Sequence, residues 1–70
     1  MVTEKVTKID VLNIQPNETK EFVCKDALTA RNGQALVLNY VDKFFRPDSI
    51  QGYKTTRDDN VLIVTAIAKA

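Results

Sequence analysis

The chain contains no histidine and no tryptophan, and Cys24 is its only cysteine. Each absence closes a class of chemistry. A single cysteine excludes an intramolecular disulfide, and without histidine the usual zinc ligand sets cannot be assembled. The missing imidazole also removes the base that activates a serine or cysteine nucleophile, so Ser49 has no triad partner and Cys24 no activating base. Lys25 follows Cys24 directly, but neighbours in an extended chain point to opposite faces, and Cys24 reads as a buried structural thiol. No apolar run approaches the roughly eighteen residues of a membrane span, and the opening Met-Val-Thr-Glu-Lys lacks the apolar core of a secretory signal. An intracellular, cytoplasmic protein is therefore expected.

Excess charge of either sign is also lacking. Ten Lys and Arg against nine Asp and Glu leave a net charge of +1, far from the balance of a protein that coats nucleic acid nonspecifically. Any electrostatic partner must be met by a local patch. Asp48, Asp58 and Asp59 do not follow the alternating ligand pattern of a calcium loop and read as solvated loop residues. Asn17-Glu18-Thr19 matches a glycosylation sequon but reads as a turn in a chain without a secretory signal. No cofactor, metal or small-molecule substrate is expected, and the chain reads as a non-enzyme.

What is present is enough for one domain over residues 1–70. A chain of this size buries only about 60–65% of the surface its unfolded form exposes, so its core is thin and a partner subunit is the one support left open. Residues 6–14, VTKIDVLNI, are rich in β-branched side chains and end at Gln15-Pro16-Asn17-Glu18, which predicts a strand running into a turn. The alternation is imperfect, with Ile9 and Val11 on one face and Leu12 and Ile14 on the other. Residues 19–24, TKEFVC, predict a second strand, with Phe22 and Cys24 on one face and Val23 on the other, paired with the first in an antiparallel hairpin.

Asp26 then offers a helix cap. Asn32-Gly33 is a hairpin signal, yet the arm before it has little β propensity, while Ala30, Gly33, Val37, Tyr40, Val41 and Phe44 recur at helical spacing. A helix is preferred, with Gly33 on its packed face and Pro47 ending it. Residues 47–52 read as a loop pinned by Ile50. A second hairpin follows, with YKTTR and VLIVTAIA joined by Asp58-Asp59-Asn60. In its last strand Val61, Ile63, Thr65 and Ile67 point one way and Leu62, Val64, Ala66 and Ala68 the other, so both faces are apolar, as in a strand covered on both sides.

The predicted fold is α+β in the order strand-strand-helix-strand-strand, two antiparallel hairpins packed on one helix. One helix covers one face, and the outer face, assigned to Leu62 and Val64, then needs a homodimer or a protein partner. The segment richest in phosphate-compatible donors is residues 52–57, GYKTTR. Tyr53 can stack on a base or pack on the core, and Lys54, Thr56 and Arg57, with Arg46 nearby, are candidates for contacts to DNA or RNA backbone. The order of segments, with PNETKEF leading into a strand, YKTT and a final LIVTAI, resembles short uncharacterised accessory proteins of bacteriophages and mobile elements. That resemblance implies a non-enzymatic accessory protein that binds nucleic acid or protein, and it transfers no functional residue to this chain.

Overall fold

A computed structural model of the chain describes residues 2–69. It contains a short helix α1 (Lys8–Leu12), strand β1 (Thr19–Val23), helix α2 (Ala27–Leu36) continuing directly into a π-helical segment (Val37–Phe45), and strands β2 (Ile50–Asp58) and β3 (Val61–Ala68). The fold is α+β with a three-stranded antiparallel sheet, but the order is helix, strand, helix, strand, strand.

The expected first strand is α1, flanked by non-strand backbone. Its cause is local. The Thr7 hydroxyl accepts from Asp10 N–H at 3.3 Å while the Asp10 carboxylate accepts from Thr7 N–H at 3.0 Å, a reciprocal cap that satisfies donors at both ends of the first turn. Val6, just before the cap, and Val11, in the following turn, are both buried, so the phase change in the apolar pattern is helical spacing. Pro16 and Asn17 then turn the chain. Asn17 has φ 65°, and Glu18 N–H donates to the Gln15 carbonyl at 2.9 Å.

With the first strand absent, the expected first hairpin is absent too. β1 pairs instead with β3, and the sheet order is β1-β3-β2. The strand with two apolar faces is the central one, paired along both edges, but only one of its faces is covered, whereas coverage of both was expected. The far end of β1 is held by the β2–β3 turn, because Cys24 N–H donates to the Asn60 carbonyl at 2.8 Å and Asn60 Nδ2 donates to the Cys24 carbonyl at 2.9 Å. The N-terminal segment adds a parallel bridge between Thr3 and Cys24.

α2 begins as expected at Asp26, whose carboxylate accepts from the Thr29 amide at 2.8 Å and the Thr29 hydroxyl at 2.7 Å. Those bonds hold the Asp26 carboxyl below its usual range, the amide and hydroxyl both favouring the charged form, with Lys25 adding to them. No reversal occurs at Asn32-Gly33. Gly33 is buried, and a Cβ added there would lie 2.8 Å from Val6 Cγ2 and 3.0 Å from Leu62 Cδ2. The helix therefore meets both the sheet and the N-terminal segment at the one residue that lacks a side chain.

From Val37 the helix changes to π geometry and ends at Phe45, with Arg46 extended before Pro47. The wider i→i+5 turn moves the side chains out of α phase. Val37 and Val41 stay fully buried, but Tyr40 and Phe44, expected on the packed stripe, face solvent. α1 and the sheet both pack against this segment.

On β3, Leu62, Val64 and Ala66 are fully buried on the helix-covered face. The uncovered face is the opposite one, carrying Val61, Ile63, Thr65 and Ile67. The expectation that Leu62 and Val64 lie on the outer face is thereby corrected. Strand periodicity separates the two faces of β3 without saying which of them the helix takes.

Candidate functional site

The residues selected for nucleic-acid contact do not converge. On β2, Lys54 and Thr56 share the uncovered face with Thr65 and Ile63, their partners on β3. Tyr53, Thr55 and Arg57 lie on the helix-covered face, opposite Ala66, Val64 and Leu62. Tyr53 is only 6% exposed, so its ring is a core element and is withheld from base stacking. Thr55 is engaged by Gln34 Nε2 at 3.0 Å, and Arg57 is exposed near the end of the strand. Arg46 is tied down beside the other end, where its guanidinium contacts Asp42 at 3.3 Å and the Gln51 carbonyl at 2.8 Å.

The Tyr53 hydroxyl is buried without a hydrogen-bond partner among the described residues. Burial, with the nearby Asp42 charge second, raises its pKa above the usual tyrosine value. A group whose folded pKa is raised adds stability that is fully present below its unfolded pKa and is lost as pH rises through the folded value. Tyr53→Phe removes the unsatisfied hydroxyl and this alkaline loss together. The expected result is a variant about 1 kcal/mol more stable at neutral pH, with the advantage widening above about pH 10. Denaturant titrations at neutral and alkaline pH measure both effects.

Cys24 is fully buried, and its Sγ donates weakly to the Phe22 carbonyl at 3.7 Å. Burial first, and the Asp26 charge second, raise its thiol pKa. Both effects oppose the thiolate that nucleophilic chemistry requires. Among the described residues, no group of three or more His, Cys, Asp or Glu gathers where a metal ion could be held. Among the described residues, no helix is long and apolar enough to cross a membrane.

The surface feature that sequence reasoning missed lies on the π-helical segment. Of the five aromatic residues in the chain, Phe22 and Tyr53 are buried, while Tyr40 is 43%, Phe44 72% and Phe45 38% exposed. The three exposed rings form one cluster, with Tyr40 4.7 Å from Phe45 and 6.3 Å from Phe44 between centroids. The Lys8 ammonium sits 4.3 Å from the Phe45 centroid, a cation–π contact that carries the cluster onto α1, where Ile9 is 66% exposed. Helical periodicity put two of these rings in the core. The signal available was the density of aromatics at 40, 44 and 45, more than one narrow helix face accommodates.

An open groove of about 400 Å3 runs between residues 4–6 and α2 and includes Val6, Leu28, Gly33 and Leu36 in its wall. Its charged rim, Glu4 and Asp26 with Lys5 and Lys25, is balanced in sign. Comparison of the chain with protein-family models, with curated proteins and with solved structures finds no match. The functional reading therefore rests on these surfaces.

Proposed function

We propose that the chain is a non-catalytic accessory protein that docks a protein partner on the aromatic cluster of its π-helical segment. The observation that carries this reading is the exposure of Phe44. Burying a phenylalanine side chain is worth about 1.5–3 kcal/mol, a large share of the stability of so small a domain. Leaving the ring in water, beside Tyr40 and Phe45, forgoes that contribution. Aromatic side chains grouped in this way, flanked by a cation, are the usual anchors of protein interfaces. A buried, protonated Cys24 supports binding rather than catalysis as the mode of action.

The experiment is photo-crosslinking in the cells that make the protein, with a photoreactive phenylalanine analogue at position 44 and, as a control, at position 31 on exposed α2 surface. A discrete crosslinked protein at 44 only, competed by excess unlabelled chain and lost on Tyr40→Ser, is the expected result. Crosslinking that is absent at 44, or equal at both positions, overturns the reading.

A second reading is kept by the exposure of Lys54, Thr56 and Arg57 along β2: binding of DNA or RNA backbone by that hairpin. Here the affinity for a nucleic acid falls as salt rises and is reduced by Lys54→Ala and Arg57→Ala, measured by fluorescence titration. No binding at low salt removes it.

A further inference from the structure

β2 is an edge strand. Apart from its ladder with β3, no backbone–backbone hydrogen bond among the described residues involves residues 52–58. An edge of this length presents a row of unpaired amides and carbonyls, and proteins commonly guard such edges with charges that repel a second strand. The exposed charges of β2, Lys54, Arg57 and Asp58, are of both signs, so whether they repel a second copy depends on the register.

The possible registers are few. When two copies of one strand pair antiparallel about a two-fold axis normal to the sheet, residues directly opposite each other must lie on the same face, so the axis passes through a residue. With the axis at Lys54 or at Arg57, like charges oppose each other. With the axis at Thr55, Lys54 meets Thr56 and no charges are paired. With the axis at Thr56, Lys54 of each copy meets Asp58 of the other, twice per dimer. Thr56 then meets itself, a favourable cross-strand pair, and the long Arg57 lies against the small Thr55, whose hydroxyl is held by Gln34 at 3.0 Å.

The geometry points to a homodimer formed through β2, with Thr56 on the two-fold axis and Lys54 and Asp58 as reciprocal cross-strand pairs. The occupant of the edge is a second copy of this chain, selected by the self-complementary order Lys54, Thr56, Asp58 on one strand face. The product is a continuous six-stranded antiparallel sheet with both helical layers on the same side. This surface is separate from the aromatic cluster, and the dimer places two such clusters on one side, so that a partner with two docking segments gains from both. One strand pair buries an area at the low end of specific interfaces, so the dimer is expected to be weak and concentration-dependent.

Sedimentation equilibrium from micromolar to millimolar loading, at low ionic strength, tests the assignment. A monomer–dimer equilibrium is expected. Lys54→Asp and Asp58→Lys each set like charges opposite each other twice, and each should weaken the dimer about tenfold at low salt. The double variant K54D/D58K restores both pairs and should return the affinity to the original within about twofold. Circular dichroism of the variants checks that the monomer fold is kept. Three outcomes overturn the proposal: a strict monomer at millimolar concentration, a dimer indifferent to the single exchanges, or a double variant no better than the singles. A dimer abolished by Ile63→Lys but unaffected by the charge exchanges would instead assign association to the uncovered sheet face and equally sink the β2 register.

Discussion

Gly33→Val is expected to destabilise the fold by about 3 kcal/mol, enough to leave much of a marginal 70-residue domain unfolded at ambient temperature. Two effects compete at this position. Any residue other than glycine gains helix propensity, up to about 1 kcal/mol for alanine. Against that gain, a Cβ at this point stands 2.8 Å from Val6 Cγ2, closer than nonbonded carbon atoms approach, and 3.0 Å from Leu62 Cδ2. Valine adds two methyl groups to a space already too small for one. Gly33→Ala isolates the first contact, and there the steric term should still win, with a net loss of about 1–2 kcal/mol. Adding Val6→Ala to Gly33→Ala should recover part of the loss, because the nearest clashing atom is removed. Urea denaturation midpoints of the three variants measure this. A Gly33→Ala variant as stable as the parent would show that the N-terminal segment yields at no cost.

Leu62→Ala is the second large effect. Leu62 is fully buried in the central strand, under the helix at the point where Gly33 brings helix and sheet together. Truncation removes its apolar contacts and leaves a cavity that a backbone held on both sides by hydrogen-bonded strands cannot close. A loss of about 3–5 kcal/mol is expected. Truncating Ile67, on the same strand but on the uncovered face and 40% exposed, should cost under about 1 kcal/mol. The contrast in thermal or denaturant midpoints between these two substitutions reads out which face of β3 carries the core. Equal losses would contradict the burial of Leu62.

Much of the fold is legible in the residues. Asp26 caps α2 at the expected place, Pro47 lies just past the end of the π-helical segment that continues it, and the β2–β3 hairpin turns at Asp59 and Asn60. These features depend on neighbours in sequence, and short-range chemistry decides them. α1 was equally local but masked. The β-branched residues of the 6–14 segment favour a strand by propensity, and the Thr7–Asp10 cap with Val6 and Val11 outweighs that preference.

The candidate binding surface was less legible. Residues 40, 44 and 45 carry aromatic rings in any reading, yet whether they are core or surface depends on the helical turn, and the apolar spacing reads as α while the segment, in contact with α1 and the sheet, is π-helical. Lys54, Thr56 and Arg57 were recognisable as polar and strand-borne. That Tyr53 between Gly52 and Lys54 would be buried followed only from the strand parity, once the helix had taken its face.

By itself, the sequence determined the capped helix from Asp26, the place of Gly33 on the packed helix face, the C-terminal hairpin and the two apolar faces of its last strand. Each follows from propensity, capping or periodicity, which act within a few residues. Tertiary structure alone decided that β1 pairs with β3, that Leu62 and Val64 face inward, and that Tyr40 and Phe44 face outward. Those outcomes depend on contacts between segments distant in sequence, where two packings satisfy the same local pattern and the buried volume selects between them.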